Sequence, residues 1–302
     1  MKKIRIMALA LALLMASALI FTSCSNKSTF EYETLVDGTL SVKLSSYINR
    51  DEITEISIPD SYNDAPITHI AEYSFNCSSN LKTVILPESV ISIGAWAFYE
   101  CFALESINLH DGITDIRSYA FSRCYALKTL NIPEGVTMIH QNAFSDCYGL
   151  TEVTLPEKLR KIDISAFSHC TSLESIVIPD GVEVLEDNCF QGCSSLTSVT
   201  LPNGLNTIDA GAFLGCTSLE SIIIPDGTTT IGLSAFNGCT ALKEIVIPAS
   251  VTTVDLNAFA NCDNLETVYY TGSEQELNEL YSQWNFDIFN FANVICNYSP
   301  EG

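Results

Sequence analysis

Residues 166–185 read Ala-Phe-Ser-His-Cys-Thr-Ser-Leu-Glu-Ser-Ile-Val-Ile-Pro-Asp-Gly-Val-Glu-Val-Leu, and variants of this unit return every 23 residues. Phe75, Phe98, Phe121, Phe144, Phe167, Phe190, Phe213, Phe236 and Phe259 keep the step, and so do the leucines from Leu81 to Leu265. Cys101, Cys124, Cys147, Cys170, Cys193, Cys216, Cys239 and Cys262 follow it, with Cys77 one place early. Pro87 and the series from Pro133 to Pro248 share the register, and His110 stands where a proline is expected. The unit condenses to A-F-x-x-C-x-x-L-x-x-I-x-I-P-x-G-V-x-x-I.

A period in the range of about 20–29 residues with this leucine spacing belongs to leucine-rich repeats. The expected fold is an α/β, β-rich solenoid of about ten parallel strands with short helical or irregular turns, capped at both ends. In each unit a stretch such as 173–178 alternates apolar residues and reads as a short strand. Proline ends it, because it cannot donate a ladder hydrogen bond. Val182 and Leu185 form the next inward pair, and Phe190 and its equivalents fill the core beneath a turn. One coil cannot fold alone. Ordering its backbone costs about 1–2 kcal/mol per residue, whereas burying each large side chain returns only about 1.5–3 kcal/mol. Stability must come from stacking, and ten strands at about 4.8 Å give a stack roughly 45 Å long.

The flanks differ from the repeat. Lys2, Lys3 and Arg5 precede an uncharged apolar run from Ile6 to Phe21, the grammar of a secretory signal. Phe21-Thr22-Ser23-Cys24 then resembles a bacterial lipobox, which implies that Cys24 is lipidated and residues 1–23 are removed. Residues 24–29 form a small polar tether. Residues 30–66 suit an N-terminal cap and first strand, with a hairpin around Asp37-Gly38. The repeats run over 67–271. Residues 272–302 form a C-terminal cap whose helix Ser273 can N-cap.

The unit, the segment Ile-Pro-Asp-Ser-Tyr-Asn-Asp-Ala-Pro-Ile-Thr at 58–68 and the closing Val-Tyr-Tyr-Thr-Gly-Ser-Glu at 268–274 resemble the BspA-like, or Treponema-type, leucine-rich repeat. The resemblance covers about residues 30–302. It implies a surface-exposed lipoprotein, with some relatives acting as adhesins for host extracellular-matrix proteins, and it implies no catalytic residues. Fold transfers between such relatives better than ligand.

Composition narrows the partners. The net charge is −22, and removing the first 23 residues takes away three of 14 basic side chains and no acids, leaving −25. Such a surface repels phosphates, so nucleic acid is not an expected partner. No G-x-S-x-G, phosphate loop or H-E-x-x-H occurs, so neither an enzyme nor a cofactor is expected. His69, His110, His140 and His169 take different repeat positions and are not expected to converge. The repeat cysteines read as a buried ladder of small side chains, because parallel in-register thiols meet poor disulfide geometry and lack C-x2-C spacing for zinc. Acids after each strand, including Asp60, Glu88, Asp111, Glu134, Glu157, Asp180 and Asp226, form one edge column. They read as solvated turn residues or, alternatively, weak calcium contacts.

Two outward strand columns remain. One is small and polar. The other runs Ser57, Ile85, Asn108, Asn131, Thr154, Val177, Thr200, Ile223, Val246 and Tyr269, and turns apolar in its C-terminal half. Val177, Thr200, Ile223, Val246 and Tyr269 are therefore the candidate site for a protein ligand on an otherwise monomeric chain. No aromatic platform of the kind that stacks sugars is expected. The function expected is a cell-surface recognition module, with an envelope scaffold and a glycan- or peptide-binding lipoprotein as alternatives.

Overall fold

A computed structural model describes residues 28–284 and 292–299. Cys24, the signal segment and most of the tether lie outside them. The chain is a parallel solenoid whose coils present three ladders. The front ladder holds the ten expected strands, from Glu55–Ser57 to Thr267–Tyr270. An eleventh, Asn293–Ile295, is laid parallel on the last by the returning tail. Register follows the repeat: Thr129 faces Glu152 and Ser221 faces Glu244.

A second, back ladder pairs residues such as Ile139 with Ile162 and Ile208 with Ile231. From Ser92–Ile93 onward its strands, such as Lys161–Ile162 and Thr230–Ile231, are two residues long. The expected short helices are replaced by irregular turns. Among the described residues, helical structure is confined to a 3-10 turn at Arg50–Glu52 and an α-helix at Glu274–Trp284. The reason lies in the third ladder. In each turn segment three N–H groups donate to the next coil: Phe98 to Ala120, Phe121 to Ala143, and their neighbours two residues to either side. A helix would spend these donors within its own segment. The turn ladder runs one way, so its first coil offers carbonyls with no preceding donors. Arg50 meets two of them, donating through Nη1 to Ser74 O at 3.1 Å and Asn76 O at 2.8 Å.

The core is a column of phenylalanines. From Phe75 to Phe236 each is fully buried, and successive rings stack at 5.2–5.7 Å between centroids. Aromatic pairs of this kind add about 0.5–1.5 kcal/mol each beyond burial. Beside them each repeat thiol donates to the phenylalanine carbonyl of the preceding coil, as Cys124 Sγ does to Phe98 O at 3.3 Å. The thiols are free. This explains the choice of cysteine: it is small and apolar, yet it satisfies a carbonyl that alanine would leave without that donor. Burial pushes Cys101, Cys147 and Cys193 up to about 12. Cys77 departs from the expected ladder. It is exposed, on the turn face, and Ser78 occupies the buried place beside it.

Both ends are covered. Phe30–Thr34 and Leu40–Leu44 form an antiparallel hairpin, whose second strand continues the back ladder through Ala65–Ile70. At the other end, Ser273 Oγ accepts from the Glu276 N–H at 3.2 Å while the Glu276 carboxylate accepts from the Ser273 N–H at 2.7 Å. This reciprocal pair opens the helix.

Candidate functional site

The front ladder is one row of strands but three hydrogen-bonded sheets. Pairing lapses between Ser106–Ile107 and Thr129–Asn131, and again between Ser198–Thr200 and Ser221–Ile223. The first seam has a local cause. Asn108 uses its side chain to accept from Leu86 N at 2.7 Å and to donate to Leu86 O at 2.9 Å, and its strand stops after two residues. At the second seam lies an open groove of about 790 Å³, lined by Thr200, Ile223 and Val246 with Glu220, Asp226 and Asn203 among the other lining residues.

Three of the five expected site residues are open surface in or beside this groove. Val177 is 66% exposed and Ile223 59%, with Thr200 between them. The other two correct the expectation of a continuous stripe. Val246 is only 7% exposed, although it still lines the groove. Tyr269 is half-buried, its ring 4.4 Å from that of Tyr298 in the returning tail. The apolar surface is therefore centred on Val177 and Ile223.

The turn face holds side chains that the sequence reading missed. Tyr73, Trp96 and Tyr119 stack in a column, at 5.9 and 3.9 Å, with Tyr99 edge-on to Trp96 at 4.9 Å. Phe102, Tyr125 and Tyr148 form a second column at 4.8 and 4.7 Å. Between them runs a charged column in which Arg123 contacts Glu100 at 2.7 Å and Asp146 at 3.7 Å. These rings stack on one another rather than presenting the free faces of a sugar-stacking platform. The signal was available, since both columns keep the 23-residue step.

Ionisable groups elsewhere are structural. Asp115 is held at about 2, first by its contact with His140 at 3.2 Å and then by Arg117. Burial lowers His69, and the nearby charge of Asp37 opposes that shift. Among the described residues no group of three or more His, Cys, Asp or Glu converges to hold a metal. Beside the repeat leucine, Lys243 and Glu220 of adjacent coils close to 3.3 Å.

Stacked coils, a hydrogen-bonded surface and an exposed groove define a repeat solenoid of the protein-interaction kind. The chain belongs to the BspA-type leucine-rich-repeat family, whose model matches six copies over residues 40–174 and 160–284. It is similar to a leucine-rich-repeat protein from Bacteroides ovatus, with 27% identity over 91% of this chain and 76% of that one and a TM-score of 0.62. It is also similar to the Treponema pallidum leucine-rich-repeat protein, with 31% identity over 65% of this chain and 91% of that one and a TM-score of 0.58. No curated protein matches it.

Proposed function

We propose that the chain is a lipid-anchored recognition module of a bacterial surface that binds a protein ligand on the front face of its C-terminal half. One observation carries the reading: two exposed branched apolar side chains, Val177 and Ile223, flank Thr200 beside an open groove at a seam in the sheet. An apolar centre with a polar rim is the usual anatomy of a protein interface. Here the rim is Asn203, Glu220 and Asp226. The family's repeats serve protein interaction, and binding rather than catalysis is the function proposed. Adhesion to a host extracellular-matrix protein is the form of it that the resemblance favours. The anchor is Cys24, on the strength of the lipobox, and no helix among the described residues is long and apolar enough to cross a membrane.

The test is a binding screen of the full-length chain in detergent against extracellular proteins, followed by Val177→Asp with Ile223→Asp. Binding should fall at least tenfold with the melting temperature nearly unchanged. A ligand that binds the double variant as tightly as the parent removes the groove from the proposal. Separately, Cys24→Ala should shift the protein from the membrane to the soluble fraction. Retention of an acyl label after that change would refute the anchor.

A further inference from the structure

The turn face of the first coils carries side chains that the fold does not require. Tyr73, Trp96 and Tyr119 sit at φ of 56°, 61° and 60°. A left-handed backbone disfavours residues of this bulk. The equivalent places in later coils hold Asn142, Ser165, Asn188 and Gly211, and asparagine and glycine visit this conformation more readily. A second left-handed column shows the same contrast, with Glu100, Arg123 and Asp146 giving way to Gly192, Gly215 and Gly238. Strain kept at a surface position where Asn or Gly also fits the fold points to a use for the side chains presented.

Their arrangement says what they fit. The rings of each aromatic column lie against one another along the solenoid, so most ring faces are already occupied and edges and hydroxyls meet solvent. A sugar needs a free ring face; an extended side chain needs only ring edges to lie against. The charged column runs between the two aromatic columns, and Arg123 shows how a guanidinium sits there. It lies 5.7 Å from the centre of the Tyr99 ring and donates to Glu100. Two carboxylates face this one guanidinium, and Asp146 is the more loosely held, at 3.7 Å. The Tyr148 hydroxyl donates to Asp146, which orients that carboxylate. A chain of net charge −22 adds a field that draws cations.

We infer that this face is a second recognition surface, for a basic polypeptide segment whose Arg or Lys side chains lie along the aromatic columns and pair with Asp146. It lies on another side of the coil from the front groove and does not depend on it. Arg and Lys stems pack on aromatic side chains while their heads reach carboxylates.

The test uses a fluorescently labelled hexa-arginine peptide and the full-length chain in detergent, read by anisotropy at low ionic strength. The combined variant Tyr73→Asn, Trp96→Asn, Tyr119→Asn keeps the charge of the parent and installs the residue that Asn142 and Asn188 already provide. Binding should weaken at least tenfold in it and severalfold in Asp146→Asn, while Glu244→Gln on the front face should bind like the parent. Should circular dichroism show the triple variant unfolded, Trp96→Asn alone replaces it, with a severalfold loss expected. Equal binding by the folded aromatic variant would mean that overall charge alone attracts the peptide, and the inference fails. It fails also if the parent does not bind the peptide, or if neutral cellohexaose binds this face in its place.

Discussion

The coils from Tyr73 to Tyr148 and those from Ser165 to Asn261 share one interior and differ in what they show. Inside, the same phenylalanine and thiol columns run through both, with ring spacings that do not change at the boundary. Outside, the first half places Tyr, Trp, Glu, Arg and Asp at most of its left-handed turn positions, with Cys77 and Asn142 the exceptions, and its front face is polar at Asn108 and Asn131. The second half fills the corresponding turns with Ser, Asn, His and Gly, and its front face turns apolar at Val177 and Ile223. A repeat fold lets the two be set independently, because coil geometry depends on the inward positions and the coils tolerate many residues at the outward ones.

The largest expected effect tests the shared interior. Each buried thiol titrates higher when folded than when unfolded, because burial disfavours the thiolate. Its contribution to stability is present below the unfolded value, near pH 9, and is lost as pH rises toward about 12. Each thiol then costs about 1.4 kcal/mol per pH unit. With a row of them, thermal unfolding followed by circular dichroism should show steep destabilisation between pH 9 and pH 10, roughly 1 unit above the unfolded pKa. A flat melting temperature over that range would mean that the thiols are not buried neutral groups.

Next, Phe121→Ala and Phe236→Ala should each cost about 3–5 kcal/mol, and nearly the same amount, since both rings are fully buried in equivalent stacks. Urea unfolding that separates them by more than about 2 kcal/mol would show that the halves differ inside as well as out. The smallest effect is at the turn face. Gly215 has φ of 73°, and a Cβ there would meet only Gly192, at 3.9 Å, so Gly215→Ala should cost about 1 kcal/mol from backbone conformation alone. A cost near zero, measured the same way, would remove the argument that Trp96 and Tyr119 are held under strain.

The comparison also shows what could be read without coordinates. The front strands and the phenylalanine column were legible because large inward residues recur at a fixed step, and steric demand leaves them few substitutes. The back ladder was only half legible. Val182 and Leu185 read as an inward pair, but a strand of two residues such as Val184–Leu185 is too short to show alternation. The turns read partly as helix because their hydrogen bonds run between coils, which no local pattern reports. Val246 read as open surface because its place in the column faces outward; its register partner is Tyr269, whose ring lies against Tyr298. The aromatic columns were overlooked for a different reason. Trp96 and Tyr119 resemble core residues in a list, and only the left-handed backbone directs them outward.

The turn ladder, finally, bears on how the chain acquires its shape. Phe98 waits for Ala120, and Phe121 for Ala143, so every rung is closed by a segment 22 residues further along, wherever it lies. The separation between partners does not grow with the number of coils. Chain-closure entropy is therefore charged in equal small steps, and the folding barrier need not rise as the molecule lengthens. A polypeptide emerging from its N-terminus can complete each rung as soon as the next one appears, starting from the hairpin and Arg50 that cover the first.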